Sequence, residues 1–141
     1  KYQLVEPGDF VMNNQQAWRG SVGVSRYRGI ISPAYFVFQV TSELASDFAN
    51  LLFRSKQYVA YYYICSKGIG SIQRNLDWDI LKQQYIFIPP LEEQKAIVEY
   101  INTKCQSIDS MISNLESEIA YLKEYKQSLI ADAVTGAINV Q

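Results

Sequence analysis

The C-terminal part of the chain carries a heptad repeat of apolar residues, and this repeat constrains the fold more than any other feature. After the pair Pro89 and Pro90, two series of residues recur every seven positions, three residues apart, over five heptads. This spacing predicts one long α-helix over 91–133 with an a/d seam of the coiled-coil type. The residues expected to pair along the seam are Val98, Ile101, Cys105, Ile108, Ile112, Leu115, Ile119, Leu122 and Leu129.

The rest of the chain is too small to bury the seam of such a helix. At a rise of 1.5 Å per residue, the predicted helix is about 65 Å long, and fewer than 100 residues precede it. The seam therefore needs a second helix, either from another copy or from a further part of a longer chain. Glu92 and Glu93 suit the positive end of the helix dipole in the first turn. Gly136 is expected to end the helix, which leaves 134–141 as a tail.

Before the proline pair, residues 1–88 predict a domain of the mixed α/β class. Short apolar segments rich in aromatic and β-branched residues are separated by clusters of Gly, Asn and Ser, a pattern typical of short strands. The strands are expected at 9–13, 21–25, 34–40 and 84–88, the last of them ended by the prolines. The irregular loops are expected at 14–20, 26–33 and 66–75.

Two helices and one further helical turn are predicted between these strands. The expected caps are Thr41 or Ser42 for a helix over 43–54, Ser55 for a second helix, and Asp77 for the single turn. The second helix would run through Tyr58, Tyr62 and Cys65 and stop before Gly68. The three consecutive tyrosines at 61–63 also suit a strand, so both interpretations stay open for this segment.

The charged residues are unevenly distributed along the chain. The whole sequence has 13 Lys and Arg against 14 Asp and Glu, a formal net charge of −1. Residues 1–90 carry nine basic and six acidic side chains, whereas 91–141 carry four and eight. Segments 10–42 and 48–76 contain basic residues and no acid at all. Such locally unopposed basic segments favour an electrostatic contact with a phosphate backbone.

The sequence lacks the residues that most catalytic and metal sites need. It contains no histidine, and Cys65 and Cys105 lack the spacing of a zinc site. The segment 68–70 has neither the third glycine nor the lysine of nucleotide-binding loops. We therefore predict a non-catalytic protein without a cofactor or a metal. No apolar run approaches about 20 residues, and no signal peptide is visible, which predicts a cytoplasmic protein.

Two polar loops and two further arginines predict contacts with double-stranded DNA. The loops at 13–20 and 67–75 combine amide side chains with basic residues. Amides can bond adenine bidentately, arginine can bond guanine in the same way, and basic side chains also anchor phosphates. The candidate DNA-binding residues are Asn14, Gln15, Gln16, Trp18, Arg19, Arg26, Arg28, Lys67, Ser71, Gln73, Arg74 and Asn75.

Two points about these loops stay open. Trp18 is expected to pack in the base of its loop, with stacking on a sugar as the alternative. Polar, glycine-rich loops are also what ordinary protein surfaces look like, so the loops alone do not establish DNA binding.

Several segments, taken in order, resemble one known family. The run Ile86-Phe-Ile-Pro-Pro-Leu-Glu-Glu-Gln-Lys-Ala-Ile97 is similar to the strand-to-helix junction of type I restriction–modification DNA specificity subunits, and Leu129-Ile-Ala-Asp-Ala-Val-Thr-Gly-Ala-Ile-Asn-Val140 is similar to their closing segment. Ala137 departs from the lysine that is usual there. Upstream similarities lie at Gly8-Asp9-Phe-Val, Ala17-Trp18-Arg-Gly20, Gly29-Ile-Ile-Ser-Pro-Ala-Tyr35 and Gly68-Ile-Gly-Ser71.

The resemblance implies a function that the residue patterns do not give. Members of this family bind double-stranded DNA through target recognition domains and dock modification (methyltransferase) and restriction subunits. An antiparallel pair of spacer helices sets the separation between the two halves of a split target. The resemblance thus implies a recognition domain at 1–88 and a spacer helix at 91–133. It also implies that a complete recognition domain has more residues ahead of Gly8.

A different class of protein would also account for part of the pattern. A coiled-coil oligomerisation or adaptor protein, with a small head that binds another protein, explains the heptad and the near-zero net charge. It does not explain the unopposed basic segments or the ordered family-like segments.

Overall fold

The structure is a computed structural model that describes residues 1–69 and 72–139. It contains two compact units, Lys1–Glu99 and a second unit from Tyr100 onwards. The strands of the described residues are β1 (Gln3–Val5), β2 (Phe10–Asn13), β3 (Val22–Val24), β4 (Gly29–Ile31), β5 (Tyr35–Phe38), β6 (Ser66–Ile69) and β7 (Gln73–Leu76). The helices are α1 (Ser46–Phe53), α2 (Lys56–Ile64), α3 (Trp78–Leu81) and α4 (Leu91–Val134), with a 3-10 turn at Ala17–Arg19.

Within the described residues, the strands form three small antiparallel sheets. β3, β2 and β5 make a three-stranded sheet in that order, β1 pairs with β4, and β6 and β7 form a hairpin. In the central sheet, Phe10 lies opposite both Val24 and Phe38. Together with the helices, these sheets confirm the predicted combination of a mixed α/β domain with a long helix.

The main core forms where β2 meets α2 and the hairpin. Alternation along β2 buries Phe10 and Met12, because successive side chains of a strand point to opposite faces. The ring of Phe10 packs 4.6 Å from that of Phe53, between ring centres. The buried members of this core cluster are Phe10, Met12, Ala17, Tyr62, Cys65 and Leu76.

The helix predictions hold in part. Ser55 caps α2 as expected, with its hydroxyl accepting a hydrogen bond from the Tyr58 amide at 3.5 Å. Neither Thr41 nor Ser42 caps the first helix, which begins only at Ser46 after Ala45. Residues 41–44 instead form a turn, closed by a bond from the Leu44 amide to the Thr41 carbonyl, that buries Leu44.

The second helix ends earlier than predicted, and the strand alternative for its tyrosines is wrong. α2 includes the three tyrosines and ends at Ile64, because the chain then pairs as β6 with β7. Two of the segments expected to be irregular loops thus contain strands: β4 lies within 26–33, and the hairpin lies within 66–75. β1 has no counterpart among the predicted strands. Asp77 occupies the N-cap position of a single helical turn, as predicted. Its carboxylate also contacts the Lys67 ammonium at 3.1 Å.

The predicted strand at 84–88 is wrong. Its apolar residues alternate, but no strand of the described residues pairs with this segment. Tyr85 and Phe87 are 91% and 89% exposed, and Ile86 and Ile88 are 42% and 40% exposed, so the alternation here separates a more exposed side from a less exposed one without a sheet.

The long helix is confirmed, from Leu91 to Val134, with Glu92 and Glu93 in its first turn. Gly136 follows the helix at a φ of +77°, the left-handed conformation that favours glycine after a helix end. Within the parts that the structure describes, no helix combines the length and apolarity needed to cross a membrane.

Replacing Phe10 by Ala should reduce the free energy of unfolding by about 3–5 kcal/mol, because it removes a buried ring from the core. Phe87→Ala is the matched control, and it should change stability by less than about 0.5 kcal/mol because that ring is exposed. Chemical denaturation followed by circular dichroism measures both values. Equal losses for the two variants would contradict the assignment of the core.

Candidate nucleic-acid interface

The two polar loops predicted to contact DNA are joined in the structure. The Leu76 amide, at the end of β7, donates to the side-chain oxygen of Asn14 at 3.1 Å and to its carbonyl oxygen at 3.2 Å. Ala17, from the middle of the first loop, shares the core with Leu76. The Asn14 side chain therefore acts as a link between the loops, at 62 residues of separation along the chain.

The first loop is held by its own short-range hydrogen bonds. The side-chain oxygen of Asn13 accepts from the amides of Gln15 and Gln16 at 2.9 and 3.0 Å. The Trp18 indole donates to the Gln15 carbonyl at 3.1 Å. Gly20 closes the turn at a φ of +85°, a conformation that is strained for residues with a side chain. Gln15 and Gln16 are half-buried, so this loop presents a fixed surface.

A ladder of aromatic and guanidinium groups runs from one loop to the other. The Arg19 guanidinium lies 4.4 Å from the centre of the Trp18 ring, and Trp18 meets Tyr63 edge-on at 6.2 Å. On the hairpin side, the Arg74 guanidinium lies 4.0 Å from the centre of the Tyr63 ring. In this chain Trp18 therefore packs between Arg19 and Tyr63. Arg19 is exposed at the end of the ladder.

Arg74 is bound within the protein. Its Nε donates to the Ser66 hydroxyl at 2.8 Å, and its Nη2 donates to the Ser66 carbonyl at 2.6 Å. Nη2 also lies 3.4 Å from the Tyr63 carbonyl. These bonds hold the guanidinium across the hairpin, so Arg74 supports the loop geometry from within.

The register of the hairpin places three other candidates on its opposite face. Lys67 pairs with Asn75, and Gly68 pairs with Arg74. Because side chains alternate between the two faces of a strand, Lys67, Gln73 and Asn75 share the face opposite to Arg74, and all three are exposed. Two amides and one ammonium group thus stand on one side of a two-stranded ribbon. Ser71, the remaining candidate in this loop, lies outside the described residues.

The basic candidates outside the ladder have acidic neighbours in space. Arg28 lies 3.1 Å from Glu6, Arg26 lies 3.8 Å from Asp47, and Lys67 lies 3.1 Å from Asp77. The hydrogen bond from the Lys67 ammonium holds the pKa of the Asp77 carboxyl below its usual value. The cations in these pairs are largely exposed, and such pairs contribute little to stability.

No group of three or more metal-ligating side chains occurs in the ranges 1–69 and 72–139. Cys65 lies in the core, where burial raises the pKa of its thiol. A buried thiol of raised pKa is a packing group rather than a nucleophile.

Residues 5–129 match the family model described as the type I restriction modification DNA specificity domain. The chain belongs to the type I restriction–modification DNA specificity domain family. It is 35% identical over 65 residues to the EcoBI specificity subunit of Escherichia coli, an alignment that covers 46% of this chain and 14% of that subunit. It is 26% identical to the EcoKI specificity subunit of E. coli strain K12, over 96% of this chain and 30% of that subunit. The chain therefore spans less than a third of the length of either relative.

The specificity-domain chain also carries the predicted apolar seam on α4. Cys105 and the seam residues from Ile108 to Leu129 are exposed in this single chain, with Leu115 at 58% and Leu122 at 59%. Val98, the first predicted seam residue, instead packs against the buried cluster of Leu44, Phe48 and Ala49. Ile101 is half-buried, so the fully exposed part of the seam begins at Cys105.

The sequence analysis missed one residue of this region. Gln94 lies in the family-like segment after the prolines, and the structure shows its side chain completely buried and hydrogen-bonded. A glutamine one turn into an amphipathic helix carries no sign of burial by its chemistry alone. Its place within the family-like segment was the available signal.

Arg74→Ala should lower the free energy of unfolding by about 1–3 kcal/mol, because it breaks charged hydrogen bonds across the hairpin. Arg19→Ala removes an exposed arginine from the same ladder and should cost less than about 1 kcal/mol. Urea denaturation compares the two variants. A larger loss for Arg19→Ala would contradict the supporting role of Arg74.

Proposed function

We propose that this chain is the DNA-recognition part of a type I restriction–modification specificity subunit and reads one half of a bipartite target. The observation that carries the proposal is the joining of the two polar loops on one rigid base, with exposed amide and basic side chains beside it. The family match supports the same function. Its role is recognition without catalysis, in the cytoplasm, without a cofactor or metal.

In this proposal, the side chains on the exposed face of the β6–β7 hairpin contact the base edges. A two-stranded ribbon fits the major groove of B-DNA, where amides bond adenine bidentately. Gln73 and Asn75 stand two residues apart on that face and are proposed to read base edges. Asn14, Gln15 and Gln16 would add contacts from the neighbouring loop. Their reach is limited, because Asn14 is bonded to the Leu76 amide and the two glutamines are half-buried.

In this proposal, the exposed basic side chains bind the phosphates of the DNA backbone. Arg19 and Lys67 lie beside the reading face, and Arg26 and Arg28 extend the basic surface. Lys67, Arg26 and Arg28 would each exchange a carboxylate partner for a phosphate. Because these three cations are themselves largely exposed, the exchange is a small change in electrostatic energy. Arg74 is proposed to act on DNA through the shape of the hairpin.

The seam of α4 is proposed to pair with an antiparallel helix, from a second copy or a second repeat. Its exposed apolar residues are those that a coiled coil buries. Such a pair would set the spacing between two half-sites and offer a surface on which the methyltransferase docks.

Selection from randomised duplex DNA, with the assembled protein, should enrich a split target. Gln73→Ala and Asn75→Ala should each relax the preference at one base position by about 1–3 kcal/mol, because each removes a bidentate contact. The exposed Gln106 on α4 provides the control, since Gln106→Ala should leave the preference unchanged.

The affinity for the selected target should also fall with a slope of about −0.9 log units per log unit of salt for each phosphate neutralised. If the affinity did not depend on the salt concentration, the proposed phosphate contacts would be wrong. No enrichment above non-specific binding by the assembled protein would favour the adaptor alternative.

Leu115→Asp should abolish helix pairing while the recognition domain stays folded, because a carboxylate in the seam cannot be buried without a partner. Ser117→Asp adds the same charge two residues later, off the seam, and should pair normally. Sedimentation velocity distinguishes paired from single chains. If the Leu115→Asp variant still paired, the proposal that the α4 seam pairs with an antiparallel helix would be wrong.

The native Cys105 reports the direction of pairing between two copies. In an antiparallel pair centred on Leu115, each Cys105 lies ten residues from the two-fold axis. The two thiols would then be about 30 Å apart, and mild oxidation should give no disulfide. Rapid cross-linking through Cys105 would show a parallel pair and contradict the antiparallel arrangement.

A further inference from the structure

The side chain of Gln94 is a completely buried amide with every polar atom bonded to backbone. Its Nε2 donates to the carbonyls of Glu43 and Pro89, and its Oε1 accepts from the Ala45 amide, each at 2.8 Å. These partners come from two separate segments: the turn before α1 and the proline pair before α4. One side chain therefore bonds the entrance of α1 to the entrance of α4.

The residues one turn further along α4 continue the same contact by packing. Ile97 and Val98 lie against the cluster formed by Leu44, Phe48 and Ala49. Gln94, Ile97 and Val98 have the spacing of a single helix face. The first two turns of α4 thus belong to the recognition domain both by hydrogen bonding and by apolar contact.

A buried amide with three fixed partners constrains direction in a way that apolar packing does not. Apolar side chains tolerate sliding, whereas hydrogen bonds weaken steeply with distance and angle. An amide that shifts would break all three bonds, and its own completely buried polar atoms would then lack partners at a large desolvation cost. The arrangement has one favourable geometry.

We propose that Gln94 is a positioning residue that fixes the direction in which α4 leaves the recognition domain, and so sets the half-site spacing that the protein accepts. The proposal rests on the proposed function of reading a split target. Each base pair of spacing moves a half-site by about 3.4 Å and rotates it by about 34°. If the direction of α4 relative to the recognition domain varied by such amounts, the protein could not discriminate between spacings.

The test compares Gln94→Leu and Gln94→Glu with the matched pair Gln106→Leu and Gln106→Glu, which change an exposed glutamine of the same helix. Leucine removes all three hydrogen bonds, whereas glutamate keeps the acceptor for Ala45 and loses both donors. The assembled protein is titrated with the split duplex selected by the wild type, with duplexes respaced by one and two base pairs, and with a single half-site. Hydrogen exchange at the Ala45 amide reports the local bond.

For the wild type, respacing should cost about a hundredfold in affinity, because two linked sites lose their joint binding when geometry forbids it. In both Gln94 variants this penalty should fall below about tenfold, while half-site affinity stays within about twofold of the wild type. Exchange at Ala45 should accelerate in Gln94→Leu more than in Gln94→Glu. The Gln106 variants should behave as the wild type.

Two results would overturn the inference while leaving the proposed function intact. An undiminished spacing penalty in Gln94→Leu, with exchange at Ala45 accelerated, would show that the bond is lost without consequence for spacing. Loss of half-site affinity in both Gln94 variants would show that Gln94 supports the whole domain. If the wild type enriches no split target at all, the proposed function fails, and the inference fails with it.

Discussion

One shared apolar core brings the two polar loops of this domain together. Ala17 comes from the first loop, Cys65 directly precedes the hairpin and Leu76 is its last residue, yet all three are buried in the cluster around Phe10 and Met12. Burial of apolar surface is non-directional, so it draws the loops to one place without fixing their orientation. The Asn14 bonds and the ladder through Trp18 and Tyr63 supply the orientation.

The elements with a strong internal period could be predicted from the sequence. The heptad of α4 and the alternation around Phe10 and Met12 predict which residues share one face of the element. They do so because the period of the pattern matches the geometry of a helix or a strand. Ser55 was also predictable as a cap, because its bond to Tyr58 is local. In contrast, β4 and β7 are short, and their pairing depends on residues elsewhere in the chain. The segment 84–88 shows the converse error, since a strand-like pattern forms no sheet without a partner strand.

For the candidate site, sequence reasoning singled out the two segments and their polar side chains, while the arrangement of these side chains in space required the structure. Arg74 and Gln73 are sequence neighbours with long polar side chains, and only the register shows that they face opposite ways. The unopposed basic segments are a second example. Glu6 and Asp47 lie outside those segments in sequence, yet they reach Arg28 and Arg26 in space. Charge read along a chain therefore overstates the local field when acids fold back onto it.

The two faces of the β6–β7 hairpin differ in how much the fold depends on their side chains. The inward side chains of Ser66, Arg74 and Leu76 carry the bonds and the burial on which the domain depends. The outward positions at Lys67, Gln73 and Asn75 project into solvent, where substitutions have little effect on stability. New combinations of outward side chains can thus be tried at almost no risk to the fold. The ribbon therefore tolerates a change of chemistry on its outward face without a change of fold, one residue at a time.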